Sequence, residues 1–210
     1  FRRVLFRSEQ ALTEDIGDGD HTTRSVIPGH VQGRARLIVK QSGVLAGMQV
    51  AEKIFKKVDE TLRFIPLLHD GDKVNTGDVA FTVEGSSASI LMAERLVLNF
   101  MQRMSGIATT TAIYVEKLAG LRTKVLDTRK TTPLLREFEK YAVRAGGGSN
   151  HRMGLYDMIM IKDNHVDFAG GISQAIDSAN AYLKEHGRSL NIEIEVRNFD
   201  ELQQVLHHGG

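Results

Sequence analysis

The sequence predicts an α/β protein in two parts: an α+β half, then repeating βα units of a parallel sheet or barrel. Three observations carry this. Before about residue 87, short β-patterned segments punctuated by glycine surround one amphipathic helical stretch. A long and largely apolar helical pattern then runs through "SILMAERLVLNFMQRM". Beyond it, "TKVLDT", "YDMIMIKD" and "NIEIEV", centred near residues 125, 159 and 193, are each followed by a helical pattern. Their period of about 34 residues is close to the roughly 30 residues per unit of a (β/α)8 barrel.

The chain opens with "FRRVLFRS", Arg-rich, without a Met and without the apolar core of a secretory signal. Residues 1–8 are set aside as a candidate non-native stretch: an expression scar, a frame artefact or the end of an upstream helix. "DIGDGD" resembles an acidic calcium loop but lacks its ligand spacing, so it reads as a turn. From Val31, "VQGRARLIVKQSGVLAG" alternates around Gly33, Gly43 and Gly47 and reads as strands and turns. In "MQVAEKIFKKVD", Val50, Ile54, Phe55 and Val58 share one helical face. "FIPLLHDGDKVNTGDVAFTVEGS" gives strands around Asp-Gly and Thr-Gly turns.

The long helix should begin near Ser89, break at Gly106, resume through "IATTTAIYVEKLAG" and stop at Gly120. Arg95, Asn99 and Arg103 lie four apart and form a polar stripe on it. The helices expected after the three strands are "PLLREFEKYAVRAGG", "GISQAIDSANAYLKEHG" and "FDELQQVLHHGG". "MIMI" is apolar on both faces, as in a strand covered on both sides. Three βα units cannot close a barrel and would leave a bare edge, so more units are expected after residue 210. The domains read from this pattern are residues 1–106 and 107–210.

Bulk composition narrows the function classes. A chain of 210 residues with 41% apolar content and net charge +1 is an ordinary globular protein with no global field for nucleic acid or an acidic membrane. Any anion site must be built locally. No cysteine is present, which excludes disulfides, thiolate catalysis and Cys-based metal sites and fits a reducing cytoplasm. The apolar runs are far too short to span a membrane.

Parallel α/β architectures bind ligands at the C-terminal ends of their strands, and the unusual residues fall there. The first strand ends in Asp127, Arg129 and Lys130, and the second in Lys162, Asp163, Asn164 and His165. The third carries Glu193 and Glu195, two apart and therefore on one face. "GGGSNHRMG" adds His151 and Arg152 before the second strand. Adjacent Arg and Lys suit phosphate or carboxylate, with hydroxyls of Thr128, Thr131 and Thr132 as further donors. A carboxylate among cations could hold Mg2+ or stabilise a cationic sugar-like transition state.

Plainer readings stay open for each motif taken singly. Arg129 and Lys130 could sit on a solvated loop, His151 could be structural, and "AGGGSN" could be a flexible linker. Glu193 and Glu195 could face solvent on an edge strand, and the Arg95 stripe could simply pair with acids. Repetition at three successive strand ends is what favours a site.

These motifs together resemble the quinolinate phosphoribosyltransferase family. "DTRKTTP", "EKYAVRAGGGSNHRMGL", "IKDNH" and "IEIEV" stand in its order and spacing, and "EDIGDGDHTT", "GVLAG", "DGDKVNTGD" and "ERLVLNFMQRMSGIATTT" resemble its N-terminal part. One departure is Leu134, where the family usually has glycine after the proline.

The resemblance implies an N-terminal α/β sandwich followed by an open parallel α/β barrel, of which only the first three βα units fall within this chain. It implies transfer from phosphoribosyl pyrophosphate to quinolinate with Mg2+ and loss of CO2. Residues 1–210 alone would then turn over little substrate. By position, Arg129, His151 and Arg152 would hold the quinolinate carboxylates, and Lys162 would lie between the two substrates. Lys130 would meet the phosphoribosyl side, and Glu195 the ribose and its metal. Lys130, Lys162 and Glu195 are the catalytic candidates, with Thr131, His165 and Glu193 behind them. Arg95 would enter the neighbouring subunit's site, implying a homodimer or a hexamer of dimers.

Two competing readings remain. One is a related phosphoribosyltransferase with another pyridine-type acceptor. The other is a carrier-like module modified at Lys40, since "DGDKVNTGDVAFTVEG" has the turn pattern of biotinyl and lipoyl domains.

Overall fold

In the computed structural model, which describes residues 2–208, the chain begins with two helices, α1 (Arg2–Ile16) and α2 (His21–Val26). The opening stretch set aside above is therefore helical from Arg2, and α1 reaches the core through Leu12. "DIGDGD" is the turn between the helices, and Asp20 caps α2 by accepting the Thr23 N–H at 2.9 Å.

Strands β1 (Gln32–Ile38) and β2 (Gly43–Val44) precede α3 (Met48–Val58); β3 (Arg63–Pro66), β4 (Lys73–Val74) and β5 (Val79–Ser86) follow it. β1, β5 and β3 form an antiparallel sheet in that order, with Leu37 opposite Phe81 and Phe64 opposite Val83. β2 and β4 make a separate two-stranded pair. The face predicted for α3 is the one that packs: Val50, Ile54 and Phe55 are buried and Val58 lies against the same core. Phe64 meets Phe81 with ring centroids 4.6 Å apart, and Phe55 meets Phe81 edge-on at 5.8 Å. Phe55 and Phe81 are buried and Phe64 is half-buried against them; a fully buried side chain of this kind contributes about 1.5–3 kcal/mol, so the cluster anchors the first half of the chain.

The helix α4 runs unbroken from Ser87 to Lys117. The break expected at Gly106 does not occur. Gly106 is exposed with open space around it, while Met101, Met104, Ala108 and Thr111 are buried on the opposite side. Core packing on that side outweighs the roughly 1 kcal/mol by which glycine disfavours a helix interior. The expected domain boundary at 106/107 thus falls inside α4. By packing, the chain forms two compact units, Phe1–His151 and Arg152–Gly210.

α5 (Arg136–Ala145) completes the first unit. The strand expected at "TKVLDT" is reduced to an isolated parallel bridge between Leu126 and Ser149. Ser149 donates to the Val125 carbonyl at 2.8 Å and accepts from Asp127 N–H at 3.2 Å. Leu126 is 54% exposed, and with so little apolar cover the segment does not extend into a ladder.

The second unit holds β6 (Ile159–Ile161), α6 (Asp163–Ala169), α7 (Ile172–Glu185), β7 (Ile192–Ile194) and α8 (Phe199–His208). β6 and β7 are parallel neighbours, with Ile159 opposite Ile192 and Ile161 opposite Ile194. Ile161, Val166, Ile172, Ile176 and Val205 form its core. In the "MIMI" run only Ile161 is fully buried, so the strand is covered less completely than its composition implies. α6 was not expected. Its signals were an acidic first turn at Asp163 and the Gly170-Gly171 stop, where Gly170 takes φ +91°. Among the described residues no helix is long and apolar enough to cross a membrane.

Candidate active site

In the first unit, Arg129, Lys130 and Thr131 lie on the segment from Asp127 to Thr132 that links the isolated bridge to α5. Both ends of this segment are fastened. Asp127 pairs with the fully buried ammonium of Lys140, and its Oδ1 accepts the His151 N–H at 2.9 Å. Lys140 also donates to the His151 carbonyl at 3.1 Å. With its amide set to match its neighbours, Asn150 donates to Asp127 Oδ2 and to the Lys140 carbonyl, each at 2.9 Å. At the other end Glu139, 7% exposed, accepts the Thr132 N–H at 3.2 Å and the Arg103 Nε at 2.9 Å.

Between these anchors Lys130 is exposed, its N–H on the Thr128 hydroxyl at 3.1 Å. The Thr131 hydroxyl accepts from Arg136 Nε at 3.1 Å. The Nε of Arg129 is enclosed and has no hydrogen-bond partner among the described residues. Such a donor costs about 1–3 kcal/mol unless an ordered water or a ligand accepts from it.

Leu134 closes the segment and shows what the glycine departure means. Leu135 N–H returns to the Thr132 carbonyl at 3.1 Å, making a turn with Pro133 and Leu134 at its centre. Leu134 sits at φ +66°, the left-handed region that the third position of a type II turn requires. Among the described residues it is the one non-glycine residue with positive φ.

The glycines of "AGGGSN" are not a linker. A Cβ on Gly146 would stand 2.3 Å from the Ala108 carbonyl oxygen of α4, and Gly147 takes φ +86°. Close approach of α5 to α4 and a left-handed exit from the helix thus direct the backbone toward His151. Of the polar stripe, Arg103 does pair, with Glu139. Arg95 is exposed on α4 and has no ion-pair partner among the described residues.

In the second unit, Lys162 follows β6 and Glu195 follows β7. The Glu195 N–H bonds the Ile161 carbonyl at 2.9 Å, which continues the parallel ladder and sets Lys162 beside Glu195. Their side chains meet, Nζ to Oε1 at 3.0 Å, with 45% and 46% exposure, so both keep bonding capacity for a ligand. His165 Nδ1 accepts the Lys162 N–H at 2.8 Å, closing the first turn of α6. Glu193, two residues before Glu195, lies opposite Met160 and is exposed. Arg152 is buried and its Nη1 donates to the Met158 carbonyl at 3.4 Å.

The structure therefore joins Lys162, Glu195 and His165 in one cluster, and ties the Arg129–Lys130 segment to His151 in another. Lys140 and Glu139 were missed by sequence reasoning. Their signal was a lysine and a glutamate flanking the apolar face of α5, next to Phe138 and Ala142. Lys40 lies in the connection from β1 to β2, strands of different sheets, rather than at a hairpin tip. No group of three or more His, Asp or Glu placed to hold a metal ion occurs among the described residues.

The fold and these clusters can be set beside known proteins. Residues 20–105 match the N-terminal domain and residues 107–210 the C-terminal domain of quinolinate phosphoribosyl transferase. Quinolinate phosphoribosyltransferase [decarboxylating] 1b of Nicotiana tabacum is 47% identical over 199 residues, which are 94% of this chain and 56% of that protein. The crystal structure of NadC from Streptococcus pyogenes superposes with TM-score 0.92 at 42% identity, covering 97% of this chain and 71% of that one. The nicotinate-nucleotide pyrophosphorylase from Francisella tularensis gives TM-score 0.90 at 38% identity, over 99% and 72%. The chain belongs to the quinolinate phosphoribosyltransferase family. It spans little more than half the length of the tobacco relative.

Proposed function

We propose that the protein transfers the phosphoribosyl group of phosphoribosyl pyrophosphate to quinolinate and decarboxylates the adduct. The products are nicotinate mononucleotide, pyrophosphate and CO2, a step of NAD biosynthesis. The observation that carries this reading is the enclosed Arg129 Nε, without an acceptor among the described residues, in a segment anchored at both ends. A guanidinium held that way offers a fixed fork to a planar carboxylate, which quinolinate supplies twice.

In this reading Arg129, His151 and Arg152 bind the quinolinate carboxylates and Lys130 meets the phosphoribosyl side. Lys162 lies between the substrates. Glu195 faces the ribose, where its carboxylate stabilises positive charge as the bond to pyrophosphate breaks. The pyridine nitrogen donates its lone pair to C1 of the ribose, and the C1–O electron pair leaves with pyrophosphate. The ring nitrogen is then cationic. The bond from the adjacent ring carbon to its carboxylate breaks with its electron pair left on that carbon, CO2 departs and a proton takes its place. Positioning and charge neutralisation are the protein's main contributions. Thr131, His165 and Glu193 support these groups.

Mg2+ belongs to this chemistry as the companion of the diphosphate. It would lie near Glu195, whose Oε1 is held by Lys162 Nζ at 3.0 Å; among the described residues no group of three or more His, Asp or Glu is placed to hold a resident metal ion. Arg95, exposed and without an ion-pair partner among the described residues, serves the site of a neighbouring subunit in a homodimer or a hexamer of dimers. The compartment we assign is the cytoplasm, in keeping with a chain that has no cysteine.

A substrate panel on the full-length protein tests the reading. With phosphoribosyl pyrophosphate and Mg2+, quinolinate should yield nucleotide and CO2 while nicotinate yields neither. Faster nucleotide formation from nicotinate, without CO2, would assign the chain to a related transferase instead. Arg129→Ala should raise the apparent KM for quinolinate at least tenfold; a wild-type KM would remove Arg129 from its role.

A further inference from the structure

Two adjacent residues of α5 control the segment that carries Arg129 and Lys130. Lys140 grips its first residue, Asp127, and Glu139 grips its last, Thr132. Lys140 does more than close one end. Its ammonium and the Asp127 carboxylate together hold both backbone polar groups of His151, the carbonyl at 3.1 Å and the N–H at 2.9 Å. A residue from each side of the isolated bridge is thus fixed to a single buried ion pair.

Lys140 cannot touch a substrate, because its side chain is wholly enclosed. Stability alone is a poor reason for the pair. A buried lysine and aspartate must both be stripped of water, and apolar residues of similar volume often serve the fold as well or better. What an apolar pair could not do is fix the spacing of two backbone segments through charged hydrogen bonds of defined direction.

We propose that Lys140 is a positioning residue: through Asp127 it sets the placement of the Arg129–Lys130 segment relative to His151. Only the kinetic consequence rests on the function proposed above. Misplacing a reacting group by about 1 Å can cost on the order of a hundredfold in rate, so a clamp of this kind acts on turnover without meeting the substrate.

The test compares Lys140→Met with the double variant Asp127→Asn/Lys140→Met in the full-length protein. The single variant strands a buried carboxylate and is expected to unfold more easily. The double variant carries no buried charge there and is expected to melt near the wild type. At that restored stability, its kcat should remain about a hundredfold low while KM for either substrate moves less than about fivefold. Amide exchange of residues 128–132 should be at least tenfold faster, with α3 and β5 unchanged. Wild-type kcat in a stably folded double variant would overturn the proposal, as would wild-type exchange in residues 128–132. Failure of the wild-type protein to release CO2 from quinolinate would instead remove the proposed function, and the exchange measurement would still decide whether the clamp exists.

Discussion

Replacing Leu134 isolates the cost of a left-handed leucine beside the cationic segment. Its φ of +66° and the Leu135 to Thr132 hydrogen bond place it where a type II turn asks for glycine. A left-handed L-residue costs about 1–2 kcal/mol, whereas glycine adds about 0.5–1 kcal/mol of unfolded-chain entropy. Comparing Leu134→Gly with Leu134→Ala cancels the packing of the side chain, which is 68% exposed. Glycine should then be more stable than alanine by about 0.5–1 kcal/mol, the reverse of their usual order. For a chain of this size that is a Tm difference of about 1–4 °C, readable by thermal and urea unfolding side by side. Alanine equal to or above glycine would refute the strain argument.

Other substitutions probe the same framework. Gly146→Ala pushes a Cβ to 2.3 Å from the Ala108 carbonyl, so it should destabilise by about 1–3 kcal/mol in urea titrations. Lys162→Met in the full-length protein should lower kcat/KM by about 10²–10³ and leave Tm nearly unchanged, because its pair with Glu195 is half exposed. Tyr141 donates to Asp70 Oδ2 at 2.7 Å, and burial, then that carboxylate, raises its pKa. The folded state therefore favours the protonated phenol, a contribution present below about pH 10 and lost as pH rises toward the raised value. Tyr141→Phe should cost about 1 kcal/mol at neutral pH and flatten the alkaline fall in Tm between pH 9 and 11.5.

Periodicity made much of this fold legible. The buried face of α3, the turn-punctuated strands β3 to β5 and the helices α5, α7 and α8 all follow from apolar spacing, because each packs one face on a core. Strand-end chemistry likewise pointed to Lys162 and Glu195, which the parallel register makes neighbours. Local patterns failed where tertiary contacts decide. Gly106 reads as a break, yet the buried Met101, Met104, Ala108 and Thr111 on the far side carry the helix through it. "TKVLDT" has strand composition, but among the described residues its strand pairing is the single bridge from Leu126 to Ser149, and a strand needs a partner more than a propensity. The Lys140–Asp127 pair joins residues thirteen apart across a turn, a pairing that no helical or strand period encodes.

The most direct test of the proposed activity is the fate of each carboxylate of quinolinate. The full-length protein would be given phosphoribosyl pyrophosphate, Mg2+ and quinolinate carrying 13C in either the 2- or the 3-carboxylate. If the ring's new positive charge drives decarboxylation next to the nitrogen, label at position 2 appears as CO2 in step with pyrophosphate, and label at position 3 stays in the nucleotide. Pyrophosphate release without labelled CO2 from position 2, or CO2 released without phosphoribosyl pyrophosphate, would contradict the mechanism.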